Sequence, residues 1–419
     1  MVTIDIPLSL PAHEEFMYPC KHGLRAFSLS VCLMGLGAGV ATNQTAPPQR
    51  SADESLRSEL SLGGRTAAIS YAIDLKASDP AYKTLISNVA GSPPARVRIG
   101  QLETTGALRI GTIDLPAPPA RAPGAAAGAT PTVGSQEPPV ARYGVWLTSA
   151  PNGWQMEITD PAEAVLGQVA LNRQPGASPA PILVAALVAE NISLGRLVLR
   201  WGGYEAAADV QYTNPSRSRT AETVAVNQTI NRRHDEDTSA LSRARLLAQR
   251  NETALVVPKG ARVSISFQRT LSRGERTGNN RDIRGLSVDG PDYARLVNTP
   301  VGAIVLLTES AVPRLRTERP LRFGTRLIAT GNQVVGFPGS YGLWLKRAAG
   351  GWRLVFNHEP DAWGSQHDPQ FDAAEIDLAH SDGHEASRPF AMNLIPTAPG
   401  RGRLAIVWGP HEWTADFSF

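Results

Sequence analysis

The sequence predicts an all-β fold: two tandem antiparallel β-sandwich-like modules joined by a linker with one short α-helix. Three observations predict it. The chain repeats itself, since YGVWLTSAPNGW (143–154) returns as YGLWLKRAAGGW (341–352). Inside the repeats apolar residues alternate with a period of two, the pattern of strands with one buried face. Finally, 38 glycines and 33 prolines among 419 residues cut the chain into short runs, which suits strands and turns better than long helices.

In chain order, residues 1–41 read as a leader. From Met17, itself an alternative start, a short basic stretch (Lys21, Arg25) precedes an apolar run and the small residues Gly39-Val40-Ala41. That is the layout of a secretory signal peptide cut after Ala41, with an uncleaved anchor as the alternative. The apolar run is shorter than the roughly 20 residues a membrane-spanning helix needs. Both cysteines, Cys20 and Cys32, lie in this leader. The predicted mature chain therefore has no disulfide, no thiolate nucleophile and no Cys-ligated zinc. A flexible spacer (42–55) leads to the first module.

Module one (56–213) contains GRTAAISY (64–71), DPAYKTL (79–85), RIGTIDL (109–115), the first hairpin and GRLVLRWGGYEAAADVQY (195–212). Module two (254–419) repeats them in the same order as GARVSISF (260–267), GPDYARL (290–296), RFGTRLI (322–328), the second hairpin and GRLAIVWGPHEWTADFSF (402–419). Five matches in one order mark an internal duplication. Changes of spacing fall in polar or turn-forming sequence, where loops tolerate length change. The Pro/Ala/Gly tract 116–139 belongs to the first copy alone and reads as a loop without fixed structure. In the hairpins, Tyr143, Val145 and Leu147 share a face with Trp154, Met156 and Ile158, as do Tyr341, Leu343 and Leu345 with Trp352, Leu354 and Phe356. Between the modules, the linker (214–253) offers capping residues and spaced leucines that predict a helix over about 238–250.

The net charge is only +3, with no concentrated basic stripe, so nucleic acid is not an expected partner. After the leader no segment is long and apolar enough to predict a membrane span.

The run GSYGLWLKRAAGGWRLVFNHEPDAWGSQHDPQFD, followed by FAMNL and GRLAIVWG, resembles the bacterial domain-of-unknown-function family twenty-nine-eleven. The positions that carry the resemblance are Gly339, Tyr341, Leu343, Trp352, Asn357, Trp363, Gly364, His367, Asp368, Pro369 and Trp408. It covers roughly 254–419; the first copy lacks the Trp-Gly…Asp-Pro segment, and neither copy has the family's Trp-Arg-x-Gly-Ala-Asn-Glu-Ala stretch. The resemblance implies export and a β-rich architecture, and it brings no activity or catalytic residue.

Candidate chemistry concentrates in the second copy, where five of the eight histidines fall after residue 357. His358, His367, Asp368, His380 and His384 are the candidate metal ligands, because imidazole and carboxylate are what a cysteine-free site uses for zinc or a similar divalent ion. The competing reading is a solvated acidic loop, which the absence of HExxH and the presence of Gly383 favour. Trp363, Trp413, Trp344 and Trp146 are the candidates for stacking on a ligand, while Trp154, Trp201, Trp352 and Trp408 read as core. Glu205/Glu412 and Asp209/Asp416 recur at matching positions and read as solvent-facing strand residues rather than as an acid–base pair. No nucleophile elbow, phosphate-binding loop or dinucleotide fingerprint is present.

Together these features predict an exported, periplasmic or extracellular, non-catalytic binding or structural protein of the bacterial cell envelope. Its partner would be a small molecule, a glycan or an envelope component, and no cofactor is implied. The alternative is a metal-dependent hydrolase with a His/Asp site in the second module.

Overall fold

The computed structural model describes residues 55–419 apart from 63, 88–94, 119–138, 151–152, 191–193, 214–249, 269–286, 306, 308–311, 331–338 and 361–366. All of these belong to one unit, 49–419. The leader, most of the Pro/Ala tract and the expected linker helix lie outside the described residues, except Arg250, which begins a strand.

Both repeated hairpins form in the register the alternation predicts. β6 (Ala141–Ala150) pairs with β7 (Gly153–Thr159), Trp146 facing Glu157. β17 (Ser340–Ala348) pairs with β18 (Gly351–Asn357), Trp344 facing Val355. Their apolar faces are buried, including Tyr143, Leu147, Trp154, Tyr341, Leu345 and Trp352. Each hairpin extends an antiparallel sheet. In the first copy the order is β1 (Ser55–Leu62), β2 (Arg65–Ala72), β3 (Arg96–Thr104), β6, β7 and β8 (Val165–Asn172). In the second it is β11 (Arg250–Val256), β12 (Arg262–Gln268), β14 (Arg314–Thr317), β17, β18 and β19 (Asp372–Ser381). A two-residue strand, β13 (Ile304–Val305), also pairs with β17.

The two sheets are continuous, because β1 pairs with β11. Ile69 faces Ser58 in one copy and Ile265 faces Thr253 in the other, which makes Ser58 and Thr253 counterparts and likewise Glu59 and Ala254. Glu59 lies opposite Ala254 in the β1–β11 ladder, so a residue faces its own counterpart across a local two-fold axis. Joining the first strands removes two open sheet edges, each of which would otherwise invite association.

A second layer covers this sheet. In copy one it comprises β4 (Leu108–Ile110), β5 (Ile113–Leu115), β9 (Gln174–Ala189) and β10 (Leu194–Tyr212). In copy two it comprises β15 (Leu321–Phe323), β16 (Arg326–Ile328), β20 (Ala391–Ala398), β21 (Arg401–Trp408) and β22 (His411–Ser418). Within β10 the chain reverses at Gly202-Gly203. Arg196 reaches Asp209 at 3.5 Å and Arg200 reaches Glu205 at 3.4 Å, whereas thirteen residues of straight strand would span about 43 Å. Copy two makes the same reversal at Gly409-Pro410, with Arg403 on Asp416 at 2.6 Å. Polar side chains bind the layers together at the two-fold axis. The Leu187 N–H donates to Ser58 Oγ at 3.0 Å, and Thr253 Oγ1 donates to the Met392 carbonyl at 3.1 Å. Asn393 ties the copies, its Oδ1 accepting from Ala189 N at 2.7 Å. One apolar core runs through both copies.

Two short helices were not foreseen. DPAYKTL and GPDYARL, recognised as repeats, form α1 (Pro80–Ser87) and α2 (Pro291–Val297). Each presents a tyrosine to the tryptophan that precedes the reversal: Tyr82 to Trp201 at 5.1 Å and Tyr293 to Trp408 at 5.6 Å. The glycines that follow, Gly202 (φ +58°) and Gly409 (φ +56°), leave no room for a side chain beneath these tyrosine hydroxyls. The position of the loop insertion is also explained. Tyr143 donates to the Pro116 carbonyl at 3.0 Å and Tyr341 to the Ala329 carbonyl at 2.7 Å, so in both copies the hairpin tyrosine anchors the start of this loop.

On the opposite face of the joined sheet, charges cross the axis. Arg262 donates to Glu59 at 2.8 Å and also to Glu252, and Arg57 donates to Glu59 at 2.9 Å and to Glu103 at 2.5 Å. Burial alone would push the Glu59 carboxyl up; the guanidiniums of Arg262 and Arg57 outweigh it and hold it at about 2.

Candidate functional site

Three of the five histidines of copy two, His380, His384 and His411, gather where β19 meets β22. In that ladder His380 faces Trp413 and Ser381 faces Glu412, while Trp408 faces His411 across the β21–β22 turn. Side chains alternate along a strand, so His380, His411 and Trp413 share one face and Ser381 and Glu412 take the other. His380 Nε2 lies 3.2 Å from His411 Nδ1, a hydrogen bond between two imidazoles. Each ring is also stacked, His380 on Trp413 (5.4 Å, 25°) and His411 on Tyr293 (6.3 Å, 27°). Trp413 in turn meets Trp352 at 5.4 Å, and the Arg347 guanidinium covers Trp352 at 4.6 Å. Burial lowers the pKa of both histidines from the ordinary value; each is also lowered by Arg347, and His411 by His380, against an opposing pull from Asp382. On the other face, the His384 ring pairs with Glu412 at 2.7 Å, and the His384 backbone N–H donates to the Pro410 carbonyl at 3.2 Å.

The remaining candidate ligands lie elsewhere. His367 Nε2 is 2.7 Å from Asp372 Oδ1, which also accepts from Asn357 Nδ2 at 2.9 Å. The Asp368 side chain caps the turn Pro369–Phe371 by accepting from Gln370 N at 2.9 Å. His358 packs on Tyr341 at 5.3 Å. These groups stand at the opposite end of β19 from His380, about 26 Å away at strand rise. The metal set expected from the sequence is therefore divided. Among the described residues no group of three or more His, Cys, Asp or Glu is placed to hold a metal ion. Sequence spacing groups His380 with His384, whereas His384, beyond the end of β19, pairs with Glu412 on the other face and the register gives His380 a different partner, His411.

Two of the four ligand-stacking tryptophans, Trp413 and Trp344, are corrected by burial, and Trp363 lies outside the described residues. Trp413 is 0% exposed and Trp344 2%, so neither offers a ring face to a ligand. Trp344 packs with Val312 and Val355, with His367 against its edge at 5.4 Å. Trp146, its first-copy counterpart, is half-buried, but its ring is occupied by the Arg96 guanidinium at 3.9 Å. The repeated carboxylates Glu205, Asp209 and Asp416 are paired with arginines of the facing strand.

The matching end of copy one has different chemistry on the same frame. Gln174 faces Glu205 as Ser381 faces Glu412, which makes Arg173 the counterpart of His380 and Tyr204 that of His411. The Arg173 guanidinium lies 4.3 Å over the Tyr204 ring, beside Trp154. Neither residue stands out in the sequence; the signal is the aligned register of WGGYE and WGPHE.

Comparison with protein-family models, with curated proteins and with solved structures finds no match.

Proposed function

We propose that this chain is an exported, non-catalytic protein of a bacterial cell envelope that works by binding or by structural support. One observation carries the reading: among the described residues, many ionisable side chains are spent on contacts within the sheets. Glu375 is held by Lys346 at 2.6 Å and Arg353 at 3.2 Å, and Asp114 by Arg109 at 2.7 Å. A general acid or base needs a carboxyl or imidazole free to reach substrate, and residues clamped in this way serve rigidity instead. The joined sheet then displays two equivalent ends with different surfaces, a frame suited to recognition. The resemblance to family twenty-nine-eleven and the leader support export.

The test is to screen the full chain, at high concentration, against arrays of glycans, lipids and peptides, alongside a panel of hydrolase substrates. Saturable binding to one class supports the reading. Turnover of any substrate that is lost on changing His367 or His380 would overturn it. Recovery of the chain from the cytoplasm with an intact N-terminus would remove export.

A further inference from the structure

We propose that His380 and His411 form a bidentate site for a divalent transition-metal ion, of which Cu(II) is the strongest binder. The proposal rests on the geometry of the imidazole pair and does not depend on the binding role proposed above. Imidazole nitrogens bound to one metal ion sit about 2.0–2.1 Å from it. At angles between square and tetrahedral, two such ligands are therefore about 2.8–3.4 Å apart. The observed separation of His380 Nε2 and His411 Nδ1, 3.2 Å, lies within that span. To bind, the pair gives up its N–H···N hydrogen bond, and each ring carries its proton on the other nitrogen, Nδ1 of His380 and Nε2 of His411.

The positions are prepared by the fold. His380 is set by its register opposite Trp413, and His411 follows a two-residue turn whose Gly409 (φ +56°) has the Tyr293 hydroxyl 2.9 Å from where a Cβ would stand. The stacked Trp413 and Tyr293 rings restrict both imidazoles, so little side-chain freedom is lost on coordination. The His380 side is exposed to solvent, which gives the ion a path and leaves the remaining coordination positions to water. Charges around the pair are Arg347 across Trp352 and Asp382 after β19. Two imidazoles without thiolate or a carboxylate cage favour metals in the order Cu(II) above Ni(II) and Zn(II), and do not suit Mg(II) or Ca(II).

Copy one is a built-in control. It carries Arg173 and Tyr204 at the matching places, and a guanidinium is never a metal ligand at neutral pH.

The experiment titrates chelator-stripped, tag-free full chain with Cu(II), read by calorimetry and by pulsed EPR, which counts coordinated imidazoles. One equivalent per chain bound through two imidazoles is expected. The double variant His380→Arg/His411→Tyr, which installs the copy-one residues, should weaken that binding about tenfold or more, with an unchanged circular dichroism spectrum. His384→Gln, on the opposite face, should leave it intact. The converse variant Arg173→His/Tyr204→His should add a second equivalent with the same EPR signature. A signal from one imidazole or none overturns the proposal. So does binding that survives the double change, or that vanishes with His384→Gln. Should the double variant fail to fold, the converse variant decides: no second equivalent in a folded chain sinks the idea.

Discussion

The two halves share one frame and differ in what they place on it. At one end, copy one stacks Arg173 on Tyr204 beside Trp154, whereas copy two stacks His380 on Trp413 and against His411. On the hairpin face away from the core, copy one leaves Trp146 half-buried beneath Arg96, while copy two buries Trp344 among Val312, Val355 and His367. The repeated apolar residues fill the same space between two layers, where density leaves little latitude. Residues at the ends meet no such constraint, so a duplicated module can keep its core and vary its surface chemistry.

The largest effects should come from where the copies join. Arg262→Met removes the guanidinium that Glu59 and Glu252 share beside the axis and leaves Glu59 to Arg57. Urea unfolding should show a loss of about 2–4 kcal/mol; a loss below ~1 kcal/mol would mean that Arg57 alone compensates the buried carboxylates. The same cluster predicts an acid response. The folded Glu59 carboxyl is held at about 2, below its reference value of 4.5, so its contribution is complete above pH 4.5 and fades as pH falls toward 2. The stability involved is on the order of 3 kcal/mol, and Glu59→Gln should flatten the stability curve in that window. An acid curve that overlays the parent's would remove this account.

Next in size is the contrast between the paired tryptophans. Trp344→Ala opens a cavity under a fully covered ring and should cost about 3–5 kcal/mol. Trp146→Ala loses a half-buried ring and its guanidinium contact, and should cost about 2 kcal/mol less. Equal losses in thermal or urea unfolding would show that the two faces are covered alike. The smallest effect is expected at the reversal strands. Arg403→Gln breaks an exposed pair with Asp416 and should cost at most about 0.5 kcal/mol, vanishing in high salt. A larger, salt-independent loss would mean that the pair braces the β21–β22 turn.

Much of the frame was legible in the sequence. Alternation in YGVWL and GRLAIVW gave strand faces correctly, because a period of two is a local property of the backbone. The duplication located the loop insertion, at the loop whose start Tyr143 and Tyr341 anchor. DPAYKTL and GPDYARL were legible as a repeat but not as helices, since about two turns give too little periodicity; their place is decided by Tyr82 and Tyr293 packing on Trp201 and Trp408. The candidate site was read less well. Histidines near in sequence, His380 and His384, fall on opposite faces, while His411, in another strand, is the partner His380 meets.

By itself, then, the sequence determined the all-β class and the buried faces, which follow from spacing within a few residues, and the repeat, which follows from matching two such stretches. Only the tertiary structure decided that β1 joins β11, that Trp413 and Trp344 are covered, and that His380 meets His411. Those depend on which strands become neighbours and in what register. That choice is settled by packing two layers and closing sheet edges between residues far apart in the chain, and no local window of sequence contains it.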